Sequence, residues 1–460
     1  MIDRAGIVGE IIHTVENSVP TGWRMVEASF AVTVVAESVV LLVDAGSGPA
    51  RYPVSRQVWD PVHRHRELSA RSDDGPWWRL IVRLDSDGHT TIDEDRGTAM
   101  FPREQLFAPE AYLADLDVYP RDRMPIWLAA YTGRGARTSR SPRRAAAREE
   151  SDLQAGIRAQ PVTHELPDLA ALWARWAVLS AAFVAAESGW GPRISTSTGV
   201  FEGQDHCGST LVLLPRGRAV LSGGVWNAPA LDATCNSGTD IPDFYAGAPA
   251  WVSDPVLDAR AATGLLSFCF WWDRGQWYRG ASPSVAECAL AIPAIWTANT
   301  VTDLVGTMLG ATDADASEAI ESLVHAAETG VVTHDSVRRA CGHDDRFDIA
   351  AAVTQLGLAG VMVVDARPIG EREAIELVRE HILRRGYDTT GYPLSELSAD
   401  RFGVGWTVSV PTPPDAVVLN RAVFHVTDDG VVEMSTASVP NADPVADIVR
   451  RYSLRREFRT

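Results

Sequence analysis

The sequence contains no lysine, so all 42 of its cationic residues other than histidine are arginine. That absence excludes a Schiff-base lysine, a phosphate-loop lysine, a kinase strand lysine and a Ser-x-x-Lys nucleophile. The common catalytic and metal motifs are missing too. There is no Cys-x-x-Cys pair, no His-Glu-x-x-His, no Gly-x-Gly-x-x-Gly and no zinc-deaminase signature. The nearest approach to a nucleophile elbow, Gly280-Ala281-Ser282-Pro283-Ser284, lacks the final glycine. Cysteine is scarce: Cys207, Cys235, Cys269, Cys288 and Cys341 are odd in number and widely spaced. That usage predicts reduced thiols and a cytoplasmic location. The N-terminus has no basic region followed by an apolar one, so secretion by that route is not expected. One apolar run, Leu169 to Glu187, is long enough to suggest a membrane span. It contains Arg175 and follows an N-capping Asp168, so it reads as a buried core helix, and no membrane association is expected.

What is present is a chain of 460 residues, 46% of them hydrophobic, with a formal charge of −18. The length predicts several domains, and the apolar content is ample for packed cores. The acidity disfavours nucleic acid as a partner, because phosphates reward basic surfaces. It favours a basic protein, which the field would steer toward this one.

Periodicity predicts an α+β protein: a tandem of small domains, each with helices packed on antiparallel, hairpin-rich sheets. Residues 1–133 form the first. They comprise a helix over 3–17, two strands in "RMVEASFAVTVVAESVVLLVDA", a hairpin in "WWRLIVRLDSDGHTTID", a short helix near 109–116 and a closing Pro/Trp segment. Residues 134–160 carry seven arginines, three acids and few large apolar groups, which predicts a flexible linker. Residues 161–365 form a second domain, with two hairpins followed by helices. It holds 23 acids and 10 arginines, so most of the acidity lies here. Residues 366–460 form a third, with an amphipathic helix in "GEREAIELVREHILRRG", a hairpin across Thr427–Gly430 and a C-terminal helix.

The candidate chemistry is sparse. Asp85, Asp87, Gly88 and Glu94 match positions of a calcium loop, but Arg83 stands where its first carboxylate belongs. Strands rather than helices flank the segment, so the acids read as turn formers and no metal is expected. His206 beside Cys207 offers a thiol and a base, the basis of an alternative hydrolase reading. Cys341, His343 and Asp345 are a second conceivable metal set, read instead as a polar turn, and His63 and His65 read as an exposed loop. The fifteen tryptophans include the pairs Trp77–Trp78 and Trp271–Trp272, with Trp277 nearby. Adjacent strand residues face opposite ways, so one indole of each pair must be covered by a helix or by a partner. Aromatics beside acidic turns suit a protein interface. The candidate partner-binding residues are therefore Trp77, Trp78, Asp85, Asp87, Asp93, Glu94 and Asp95 in the first domain. In the second they are Trp271, Trp272, Asp273 and Trp277.

The order of elements in residues 1–133 resembles the YezG-like immunity proteins of polymorphic toxin systems. The residues that carry the likeness are Pro20 and Trp23 after the first helix, Trp78 and Gly88 in the hairpin, and Arg121 and Trp127 near the end. The C-terminal domain, through "GWTVSVP" and "RAVFHVTDDGVVEMSTAS", is similar to small YrhB-like immunity domains. Together these resemblances imply a polyimmunity arrangement: a non-enzymatic antitoxin, without cofactor, whose modules bind and occlude cognate toxin domains. A regulatory scaffold with several weak partners is a further alternative.

Overall fold

The computed structural model describes residues 4–70, 74–135, 137–203, 206–342, 346–363, 369–385, 387–411, 422–436 and 444–457. The chain is an α+β protein with three antiparallel sheets, and it divides into two compact units. The first comprises residues 1–138 with the later segments 227–241 and 260–265; the second comprises the remainder.

In the first unit, helix α1 (Arg4–Glu16) precedes strands β1 (Met25–Val32), β2 (Glu37–Asp44) and β3 (Pro49–Tyr52). Helix α2 (Trp59–Ser69) leads to the hairpin β4 (Arg79–Asp85) and β5 (Thr90–Asp95). The sheet order is β3-β2-β1-β4-β5, which leaves β3 and β5 as edges. Ile7, Ile11 and Val15 recur at helical spacing and are buried with Val26, Phe30, Leu80 and Val82 on one sheet face. The opposite face receives helices α3 (Pro109–Val118) and α4 (Ile126–Tyr131), which bring Tyr112 and Trp127 beside Phe101 and Trp78. Phe101 and Trp127 meet edge to face at 4.9 Å. Of the later segments, α7 (Pro229–Ser237) holds Arg123 through both oxygens of Asp232 at 2.7 Å, and α8 (Ala259–Thr263) is a short turn of helix.

A buried polar cluster lies within this unit. Asp115 is fully buried and accepts hydrogen bonds from Arg66 (2.7 and 2.8 Å), from the Trp78 indole (2.9 Å) and from the Val34 amide (3.0 Å). Arg66 also donates to the Trp77 carbonyl at 3.1 Å. His65, expected in an exposed loop, lies in α2 with 1% exposure and accepts from the Trp77 indole at 3.1 Å. Burial, then the nearby Arg4 charge, lowers its pKa to about 4. Pro61 obscured this helix in the sequence, yet it occupies the first turn, where no intrahelical N–H is needed. His63 stacks on Trp59 and meets Glu37 at 2.9 Å.

In the second unit, residues 142–154, expected to be part of a flexible linker, form helix α5 (Pro142–Gln154). Ser141 caps it, and proline occupies the first turn. The charges that argued for a linker are paired: Arg140 and Arg148 converge on Asp243 at 2.6 and 3.0 Å, and buried Asp152 accepts from the Gly247 amide at 2.8 Å. Counting apolar residues missed this because the helix is anchored by polar contacts and favoured by its alanines. Strand β6 (Gln160–Val162) and helix α6 (Leu169–Ala185) follow. Thirteen of the 17 residues of α6 are buried, and Asp168 caps it at 2.9 Å. Arg175 escapes the apolar environment by pairing with Glu328 at 2.7 Å and donating to the Ile295 and Trp296 carbonyls. This is the buried core helix that the sequence predicts. Among the described residues, no helix is long and apolar enough to cross a membrane.

The sheet of this unit is a meander of β7 (Gly191–Ser195), β8 (Thr198–Glu202), β9 (Gly208–Leu214), β10 (Arg218–Gly224), β11 (Phe268–Asp273) and β12 (Gln276–Arg279), with β6 beside β12. Helices α9 (Ala298–Leu309), α10 (Ala314–Glu328), α11 (His334–Cys341) and α12 (Ile349–Leu358) continue a core centred on α6. Helix α13 (Glu371–Arg384) then packs on the sheet β13 (Ser398–Phe402), β14 (Gly405–Ser409), β15 (Ala422–Thr427) and β16 (Val432–Thr436). Val378, Ile382, Val408, Phe424 and Val426 form its separate core. Helix α14 (Pro444–Glu457) ends the described chain.

Candidate partner-binding surface

The β4–β5 hairpin turns where the sequence predicts. Asp85 Oδ1 accepts from the amides of Asp87 and His89, both at 3.0 Å, and Gly88 adopts φ +83°. An aspartate whose oxygen closes two backbone bonds of its own turn is a turn former, and glycine meets the left-handed position without a Cβ clash.

The indoles are not where an interface requires them. Trp77 and Trp78 are 0% and 1% exposed. Trp77 lies in the core under α1 and α2, and Trp78 lies on the other face, over Asp115. Arg121 covers Trp78, its guanidinium 3.5 Å from the ring centroid, and burial lowers the Arg121 pKa to about 10. Trp77 and Trp78 stand just before β4 rather than within it, yet the two rings still point to opposite sides. The second face is covered by this chain's own α3 and α4, not by a partner.

The acids of the hairpin separate into two groups. Glu94 pairs with Arg96 at 2.8 Å and with Arg4, and Asp95 pairs with Arg79 at 2.8 Å while accepting from the Gly97 amide. Both are held in the fold, and so is Asp85 in the turn. Asp87 and Asp93 are exposed, and among the described residues neither forms an ion pair.

The β11–β12 hairpin follows the same rule. It turns at Arg274 and Gly275, both at positive φ, the geometry of a two-residue type I′ turn. Trp271 and Trp277 are 1% and 2% exposed; Trp277 belongs to the core around α6 with Trp272 partly buried against it, and Trp271 stacks on Tyr278, centroids 6.4 Å apart. The Trp277 indole donates to the Pro167 carbonyl at 2.8 Å and meets Trp272 edge to face at 5.4 Å. Asp273 pairs with Arg218 at 3.2 Å. The partner-binding assignment is therefore corrected for Trp77, Trp78, Trp271 and Trp277, which are buried within the fold; Trp272 is partly buried. Asp87 and Asp93 alone among the candidates keep an uncommitted, solvent-facing group.

The Cys207 thiol and the His206 ring both contact Trp226. The Cys207 thiol is buried and accepts the Trp226 amide at 3.2 Å, while the His206 ring packs on Trp226, centroids 4.9 Å apart. Burial raises the pKa of the Cys269 thiol, takes Cys288 to about 12 and Cys341 to about 11, and also raises the half-exposed Cys235. Iodoacetamide at neutral pH is accordingly expected to modify Cys235 first and the other four only on unfolding, as peptide mapping would read. Rapid native alkylation of Cys207 would restore the nucleophile reading. Of the conceivable metal set at 341–345, His343 and Asp345 lie outside the described residues. Among the described residues no cluster of three metal-ligating side chains occurs.

Two features escaped sequence reasoning. The Arg66–Asp115 pair joins residues 49 apart in sequence, and no local pattern marks it. The arginines at the ends of α11 and α13 were visible as Arg338-Arg339 and Arg384-Arg385, but only the fold brings these helix ends to one cavity. Compared with known proteins, the chain matches no family model and no curated protein.

Proposed function

We propose that this chain is a non-catalytic, cytoplasmic protein of the immunity type that binds a basic toxin domain and occludes it. The observation that carries the reading is the free acidic edge of the first sheet. Strand β5 hydrogen-bonds to β4 on one side only, and Thr90, Thr91, Ile92 and Asp93 along it are exposed. An uncovered strand edge offers backbone donors and acceptors to an incoming strand. Asp87 and Asp93 flank that edge with unpaired charge, and the net charge of −18 steers a cationic partner to the molecule. The YezG-like and YrhB-like sequence patterns point the same way. The contact surface is the carboxylate-flanked edge rather than the tryptophans.

The test is co-expression with candidate basic toxin domains, with growth as the readout and titration of the purified pair as the second measurement. Wild type is expected to restore growth. The double variant Asp87→Arg/Asp93→Arg, altered only at exposed positions, is expected to keep its melting temperature and bind about tenfold or more weakly. Failure of wild type to protect, or full protection by the double variant, would overturn the reading.

A further inference from the structure

We infer that the cavity bounded by α11, α12, α13 and the β15–β16 turn binds a small phosphorylated molecule with a flat apolar body, of the nucleoside phosphate class. Its volume is about 500 Å³, within the span of small-molecule sites and far more than a bare phosphate fills. Three guanidinium groups line it: Arg338 from α11, and Arg384 and Arg385 from the end of α13. All three are exposed at the rim. Arg338 and Arg385 form no ion pair among the described residues, and Arg384 approaches Asp348 only at 3.7 Å.

Arg338 and Arg385 add charge that no ion pair among the described residues offsets, and an anion bound beside them relieves their mutual repulsion. The arrangement is conspicuous in a chain of net charge −18, where carboxylates are abundant elsewhere. The guanidinium fork matches phosphate oxygens two at a time. His334, exposed, and His381, partly buried, share the lining; desolvation and then these arginines lower the pKa of each from the ordinary histidine value, against nearby acids that raise it. Their ring nitrogens are available as hydrogen-bonding groups to a ligand.

The remaining lining is suited to the body of the ligand. Phe347, Ile349, Val353, Leu377 and Val432 supply apolar and aromatic surface. Of the two acids in the lining, Asp348 is occupied in capping α12, accepting from the Ala351 amide at 2.9 Å. Glu380 is left to accept from a hydroxyl or amino group. A bare anion would use the arginines and leave the apolar part wet; a nucleoside would use the apolar part and leave the arginines unpaired. A nucleoside phosphate satisfies both.

Calorimetric titration of the full chain with ADP, inorganic phosphate and adenosine tests this. ADP is expected to bind with a dissociation constant below about 1 mM, and phosphate and adenosine each about tenfold more weakly or not at all. The variant Arg338→Ala/Arg385→Ala changes two exposed side chains, so its melting temperature is expected to be unchanged while ADP affinity falls about tenfold or more. Absence of ADP binding overturns the inference. So does equal affinity for phosphate and ADP, or unaltered ADP binding by the double variant.

Discussion

Asp115→Ala is expected to destabilise the first unit by about 3–5 kcal/mol, because it leaves the Arg66 guanidinium buried without its counter-charge. Arg66 is 5% exposed and Asp115 0%, so water cannot replace the lost partner without opening the core. The same substitution strands the Trp78 indole N–H and the Val34 amide, both of which donate to Asp115. The pair and the two neutral donors can be separated experimentally. In Arg66→Met/Asp115→Leu the buried charge is gone, which by itself is often neutral or favourable. The Val34 and Trp78 donors still lack an acceptor, at about 1–3 kcal/mol each. The double variant is therefore expected to be less destabilised than Asp115→Ala but not restored to wild type. Hydrogen exchange at amides of β1 and β4, followed through a urea series, reads the effect. A loss under about 1 kcal/mol for Asp115→Ala would show that water reaches this cluster.

Trp277→Ala is expected to cost the second unit about 3–5 kcal/mol, the usual toll for emptying a buried aromatic site. The indole is 2% exposed, packs edge to face on Trp272 and belongs to the core around α6. Trp277→Phe keeps much of the packing and loses the bond to the Pro167 carbonyl, so its cost is expected to be about 1–2 kcal/mol. Denaturation of both variants, read by exchange in β11 and α6, decides between two roles for this residue. A core tryptophan loses stability on truncation. A surface anchor would lose partner affinity and leave stability within about 0.5 kcal/mol of wild type.

The hairpins were legible in the sequence because their causes are local. Asp85 and Gly88 close one turn with their own side-chain oxygen and backbone freedom, and Arg274-Gly275 closes another. Helix α6 was legible because a capping aspartate and a sustained apolar stretch suffice to define it. Helix α5 was not, because its stability rests on Asp243, Gly247 and Ala250, about a hundred residues downstream. The tryptophans mark the same boundary. Period-two alternation predicted that each pair would straddle its sheet, and Trp77 and Trp78 lie on opposite sides although they stand just before β4 rather than within it. Whether the second face was open or covered depended on α3 and α4, whose positions no local pattern specifies.

Propensity, capping and turn chemistry thus settled the α+β character, the places where the chain reverses, and the strong negative charge, since each depends on neighbours a few residues apart. Packing between distant segments settled which indoles are interior, which of the hairpin carboxylates stay unpaired, and where Arg338 and Arg385 converge. Exposure and charge pairing are properties of three-dimensional neighbours, and chain proximity does not encode them.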